Sequence, residues 1–192
     1  MTEETNLYEL PKNLPVPIDD GDCDHLVGKR LPDISLRSTV REEINLSQIK
    51  DLWVVIYFYP MIGVPGVALP NNWDQIPGAR GCTPQSCLFR DLYGKFIQQN
   101  AVLYGVSVQS TPTQHESKTR LDLPFDLLSD PELKMGHFLK LPTFKVNSQE
   151  FFKRVTVVVK NGVIKKVFYP IFPPTKNPQE VLDWLQLVNT KV

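Results

Sequence analysis

A chain of 192 residues, 42% of them apolar, is long enough to bury one substantial core and too short for two full domains. Lys and Arg together number 21, as do Asp and Glu, so the balance points neither to a nucleic-acid surface nor to an acidic solvating chain. No apolar run approaches the roughly eighteen residues of a membrane span, and residues 1–13 carry Glu3, Glu4 and Glu9 in place of a basic and then apolar export signal; a soluble, cytoplasmic protein is expected.

Residues 1–30 mix Pro, Asp and Gly (Leu14-Pro15-Val16-Pro17, then Asp19-Asp20-Gly21-Asp22) and read as an extended arm ahead of a folded domain over 31–192. Pro32–Leu36 and Glu43–Leu46 alternate apolar and polar residues about a polar turn, which predicts a small hairpin. Ser47 is then placed to cap a short helical turn. Trp53–Tyr59 is a continuous run of β-branched and aromatic residues, the pattern of a central strand covered on both faces, and Pro60 ends it. From Met61 the chain carries several Gly and Pro residues with no period, a long loop over 61–80 that delivers it to Cys82.

Cys87, Phe89, Leu92, Tyr93, Phe96 and Ile97 recur at helical spacing and predict a helix from Cys82 or Thr83 to about Gln99. Pro84 suits its first turn, where a missing N–H costs nothing. Ala101–Val108 reads as a second buried strand, Thr113–Leu121 as an exposed helix, and Ser129–Glu132 as the start of a helix running to about Leu139. Val155–Val159 and Val163–Tyr169 flank Asn161-Gly162, the strongest hairpin signal present, because Asn-Gly tolerates the positive φ angles of a tight turn. Val181, Leu182, Trp184, Leu185 and Val188 place an apolar stripe on a closing helix. This order of elements predicts an α/β domain with a mixed sheet and helices on both faces, a thioredoxin-like arrangement.

Three cysteines, an odd number in a chain without an export signal, are a poor basis for a disulfide framework. Cys82 falls where loop becomes helix, and a helix N-terminus stabilises a thiolate through unpaired N–H groups and the macrodipole. Cys87 lies five positions on. In an ideal helix the two Cα atoms are roughly 8.6 Å apart, whereas a disulfide generally needs less than about 7 Å. If they form a catalytic pair, the first turn of the helix has to unwind. A cysteine on an apolar helix face is commonly inert core, and for Cys87 that reading stays open at this point. Zinc would require two to four closely spaced Cys or His ligands, which His25, His115 and His137 do not supply; no metal and no cofactor are expected. Cys23, in the Pro-rich arm, reads as incidental or as a further thiol.

Phe58-Tyr59-Pro60 after a buried strand, then Gly81-Cys82-Thr83-Pro84-Gln85-Ser86-Cys87-Leu88-Phe89-Arg90-Asp91, resembles the atypical two-cysteine peroxiredoxins of the bacterioferritin-comigratory, or Q-type, branch. The likeness continues through Gly105-Val106-Ser107, Phe125–Asp130 and Arg154, and covers the chain from about Leu31 on. The resemblance implies a thiol-dependent peroxidase in which Cys82 attacks hydrogen peroxide or an organic hydroperoxide, Cys87 resolves the sulfenic acid as a disulfide, and Arg154 stabilises the thiolate and orients the peroxide. Thioredoxin or a glutaredoxin-like dithiol would then reduce the disulfide, and the protein would act as a monomer or homodimer. Pro60, Arg80 and Thr83 are the residues expected to line the substrate pocket.

Two features depart from that family. Its proline precedes the reactive cysteine by seven positions, whereas Pro60 precedes Cys82 by twenty-two, so about fifteen residues (roughly 61–75) are inserted within the active-site loop. The family's threonine, three positions before that cysteine, is Ala79 here, and losing a charge-assisted hydrogen bond typically costs about 1–3 kcal/mol. The insertion, with Trp73 and Arg80, is expected to fold over Cys82, and Arg80 to replace the missing donor. Two other functions fit parts of the sequence. Leu141-Pro142-Thr143-Phe144 resembles the segment that faces the cysteine pair in thioredoxin-like disulfide reductases, and Ala79 with the insertion would suit a catalytically silent thioredoxin-fold binding module.

Overall fold

The computed structural model describes residues 6–40 and 42–190. Nine strands and five α-helices follow in chain order among them: β1 Ser35–Ser38, β2 Glu43–Asn45, β3 Trp53–Phe58, α1 Cys82–Asp91, α2 Tyr93–Gln98, β4 Ala101–Ser107, α3 Thr111–Arg120, β5 Asp126–Ser129, α4 Lys134–Leu139, β6 Thr143–Val146, β7 Gln149–Phe152, β8 Val155–Lys160, β9 Val163–Phe168 and α5 Asn177–Asn189. Seven strands form one sheet in the order β2-β1-β5-β4-β3-β8-β9, while β6 and β7 make a separate hairpin. β3, β4 and β5 run parallel and the other pairs antiparallel. This is the expected mixed sheet of a thioredoxin-like fold.

β3 has the apolar run predicted for it, and all but its first residue is buried. Its side chains alternate between two cores, as a strand's two-residue period requires. Val54, Ile56 and Phe58 pack with Leu26, Met135, Phe151 and Phe152 on one side. Val55 and Tyr57 pack with Phe89, Phe96, Phe125 and Leu182 on the other. Tyr57 lies opposite Gly105 of β4. A Cβ there would come within 2.7 Å of the Tyr57 ring and hydroxyl, so the glycine is what lets the ring lie across the strand. The ring stacks on Phe89 of α1 at a 4.7 Å centroid distance.

Several local expectations are corrected. The single helix to Gln99 is two, broken at Leu92 (φ −94°, ψ 0°) with the weak helix former Gly94 just beyond. Asn45, not Ser47, caps the turn after β2, its Oδ1 accepting from Ser47 N at 3.1 Å. α3 begins at Thr111 under a Ser110 cap and is not fully exposed, since Gln114 and Ser117 are buried. α4 starts at Lys134 because Leu133 takes a left-handed conformation (φ 53°), and the Asp130 carboxylate reaches forward to the N–H groups of Lys134 and Met135 at 2.7 and 3.0 Å. The hairpin β6–β7 and the strand β5 were not anticipated.

The last part of the arm is anchored to the domain. Cys23 and Leu26 are buried in the first core, and Gly28 N, Ile164 N and Leu31 N bond across to Ile164, Lys29 and Gly162 carbonyls at 2.8–2.9 Å, stitching the arm's end to β9. Among the described residues, no helix is long and apolar enough to cross a membrane.

Candidate active site

The inserted segment leaves the end of β3 and is pinned at once. The Gln109 side-chain amide accepts from Ile62 N at 2.9 Å and donates to Ile62 O at 3.0 Å. A 3₁₀ turn at Trp73–Gln75 then buries Trp73 against Phe144 and Phe151, with ring centroids 5.7 and 5.1 Å away. The segment ends at Gly81, whose φ of 100° favours glycine. A Cβ at Gly81 would also stand 2.6 Å from Leu10 and 2.7 Å from Pro174, so the arm and the β9–α5 connection close over the backbone just ahead of the thiol.

Cys82 is the first residue of α1 and only 2% exposed. Its sulfur accepts a hydrogen bond from Arg154 Nη2 at 3.2 Å and approaches the Ala79 carbonyl at 3.7 Å. The same Nη2 faces the carbonyls of Gly78, Ala79 and Arg80 at 3.2, 3.4 and 3.1 Å. Arg154 Nη1 donates to Gln85 Oε1. Gln85 Nε2 in turn donates to Asn177 Oδ1 at 3.0 Å, which also accepts from Thr156 Oγ1 at 2.7 Å. All four side chains of this chain of contacts are buried, so Arg154 is held in one orientation by partners that water does not compete for. Arg154 Nε is buried and has no hydrogen-bond partner among the described residues.

A small space of about 10 Å³ adjoins Cys82, with Thr83, Arg80, Leu7 and Met61 in its lining. Arg80 and Thr83 are therefore brought to the thiol, as their proximity in sequence suggested. Pro60 is buried at the end of β3 and is not among the lining residues. Arg80 does not take the missing threonine's place: its guanidinium is committed to Asp74 at 3.3 Å and to the Asn6 carbonyl at 2.7 Å. The donor at the sulfur is Arg154. Pro142 likewise lies outside that lining, and Phe144 beside it packs on Trp73.

Cys87 sits on the same helix, half-buried against the core that holds Tyr57 and Phe89. Burial pushes its thiol above the ordinary value of 9.0, an effect partly opposed by Arg90. Both cysteines are free and both are in regular helix, at a separation that ideal geometry puts beyond disulfide reach. Cys23, on the opposite side of the sheet, is pushed up to about 12 by burial and by the carboxylates of Asp22 and Asp20. Among the described residues no cluster of His, Cys, Asp and Glu could hold a metal ion. Gln85, Asn177, Thr156 and Gln109 were not singled out from sequence. Only Gln85 carried a signal, its place in the motif around the cysteines.

The redoxin family model matches residues 26–183. Peroxiredoxin Q from the chloroplast of Oryza sativa subsp. japonica is 33% identical over 159 residues, 83% of this chain, and the match spans 66% of that relative's length. Peroxiredoxin Bcp of Bacillus subtilis is 33% identical over 121 residues, 63% of this chain and 68% of the relative. Among solved structures, peroxidoxin BcpB from Mycobacterium tuberculosis superimposes with a TM-score of 0.70 at 22% identity, covering 85% of this chain and 99% of that one. Peroxiredoxin Q of Xanthomonas campestris gives 0.66 at 20% identity, over 86% and 98%.

Proposed function

Because this chain belongs to the redoxin family, as a peroxiredoxin of the Q/Bcp type, we propose that it reduces hydroperoxides through Cys82, with Cys87 as the resolving thiol and Arg154 as the group that orients both sulfur and peroxide. The observation that carries these roles is the 3.2 Å hydrogen bond from Arg154 to the Cys82 sulfur at the first residue of α1.

The Cys82 thiolate attacks one oxygen of the hydroperoxide. The O–O bond breaks, the leaving oxygen takes a proton and departs as water or an alcohol, and the sulfur, oxidised by two electrons, becomes a sulfenic acid. Arg154 supplies a positioned donor, Nη2, at the sulfur. Preorganised donors of this kind commonly contribute about 10²–10³ in rate. Cys87 then attacks the sulfenic sulfur, expelling water and forming a disulfide, which requires the first turns of α1 to open. An external dithiol, thioredoxin or a glutaredoxin-like protein, returns the two electrons by thiol–disulfide exchange.

Intact and peptide mass analysis after one equivalent of hydrogen peroxide tests the assignment. The expected products are a Cys82–Cys87 disulfide in the parent and a Cys82 sulfenic acid in Cys87→Ser. Absence of oxidation at Cys82 in both proteins would overturn it.

A further inference from the structure

A cavity of about 930 Å³ lies between the N-terminal arm and the inserted segment, with Asn6, Leu7 and Tyr8 on one wall and Val64, Leu69 and Trp73 on the other. That is the size of a small-molecule site, and it is built from the inserted segment and from the arm, whose residues 6–8 precede the stretch matched by the family model. Leu7, Leu69 and Trp73 also line the small space at Cys82, so the two spaces share a partition. The inner space, about 10 Å³, has room for little more than one water. Any peroxide larger than that reaches the sulfur only if the partition yields. Leu7 is the member placed to do so. It is half-buried on the arm, and its Cδ2 would lie 2.7 Å from a Cβ at Gly63. Leu69 and Trp73 belong to the insertion, and Trp73 is fixed by Phe144 and Phe151.

The chemistry of the walls defines the guest. They are largely aliphatic and aromatic, and the charged lining side chain, Asp74, is paired with Arg80 at 3.3 Å. Among the described residues, no Lys or Arg lines the cavity to receive a carboxylate or phosphate. Resting on the peroxidase reading above, we infer that this cavity is a binding site for the organic group of an uncharged hydroperoxide, and that Leu7 is the specificity-determining residue between that group and Cys82. The guest lies along Trp73 and Leu69 with its –OOH end directed past Leu7. The sulfur takes one oxygen, the O–O bond breaks, and the alcohol retreats through the same cavity.

Rate constants for Cys82 oxidation by hydrogen peroxide and by cumene hydroperoxide, read by quenched-flow mass analysis, test this. Val64→Phe fills the outer cavity without touching the inner space. It is expected to lower the ratio of the cumene hydroperoxide rate constant to that of hydrogen peroxide fivefold or more, and a smaller fall overturns the inference. Should Val64→Phe fail to fold, Leu7→Ala decides: removing the partition is expected to raise the same ratio at least threefold, and a smaller rise overturns it. A parent protein that reacts with neither peroxide would instead remove the peroxidase reading beneath it.

Discussion

Arg154 divides its donors between the Cys82 sulfur and the carbonyls of the three residues leading to the helix, while Gln85 fixes its other arm. The guanidinium thus holds the Cys82 sulfur and the backbone that presents it, a geometry a lysine ammonium could not reproduce. Gln85 touches no reacting atom in the proposed mechanism and acts by positioning Arg154. Gln85→Ala is expected to slow Cys82 oxidation by hydrogen peroxide about tenfold, close to 1.4 kcal/mol in barrier, with Cys82→Ser as the zero-rate control; an unchanged rate constant would show that the carbonyls of Gly78, Ala79 and Arg80 alone keep the guanidinium in place. At this scale Cys82 and Cys87 were marked by their own identity and spacing, and both lie on α1. Arg154 came from the resemblance. Asn177 could not be read, because it meets Gln85 across 92 positions and nothing near it in sequence marks the contact. The donor role expected of Arg80 failed for a related reason. Its proximity to the thiol along the chain is real, but Asp74 and Asn6 are better placed acceptors.

α1 carries both thiols, so under the proposed Cys82–Cys87 pairing it cannot keep its reduced form through a catalytic cycle. Amide hydrogen exchange should register this: after peroxide oxidation the amides of residues 82–88 are expected to lose protection, while those of β3 and β4, central in the sheet, keep it. Equal protection of α1 in the two redox states would contradict the Cys82–Cys87 pairing. The elements that were legible beforehand, β3, the β8–β9 hairpin and α5, are those whose apolar period or turn chemistry is strong enough to survive any tertiary context. α3 was misread as exposed because its buried positions are polar. Gln114 is hidden yet donates to Ser107 Oγ at 2.8 Å and Leu128 O at 2.9 Å, so hydrogen bonding rather than apolarity seats that face. α4 was placed early because a Ser-Asp-Pro-Glu run resembles a helix start, whereas the Asp130 carboxylate caps from four and five residues back, across a turn.

In the molecule as a whole, the sheet separates two cores, with Cys82 in one and Cys23 in the other. The arm contributes Cys23 and Leu26 to the latter. Its acidic stretch is tied to the domain through Asp20, which accepts from Lys153 Nζ at 2.7 Å and Tyr169 Oη at 2.8 Å. These donors hold the Asp20 carboxyl well below its ordinary value of 3.8. The folded form therefore binds fewer protons here than the unfolded chain, so this contribution to stability is complete above that ordinary value and is lost as pH falls below it. Asp20→Asn is expected to lower the urea midpoint near neutral pH, with the gap to the parent narrowing below about pH 4; a gap independent of pH would show that the pair contributes through packing alone. The insertion, by contrast, hangs between two fixed points, the Gln109 amide at Ile62 and the Trp73 ring packed on Phe144 and Phe151. Closing a loop between fixed ends costs only about 0.6 kcal/mol for each doubling of its length. The stretch between them is in effect a cassette: chain can be added or removed there at small cost in folding, leaving the thiol and its guanidinium in an unchanged frame.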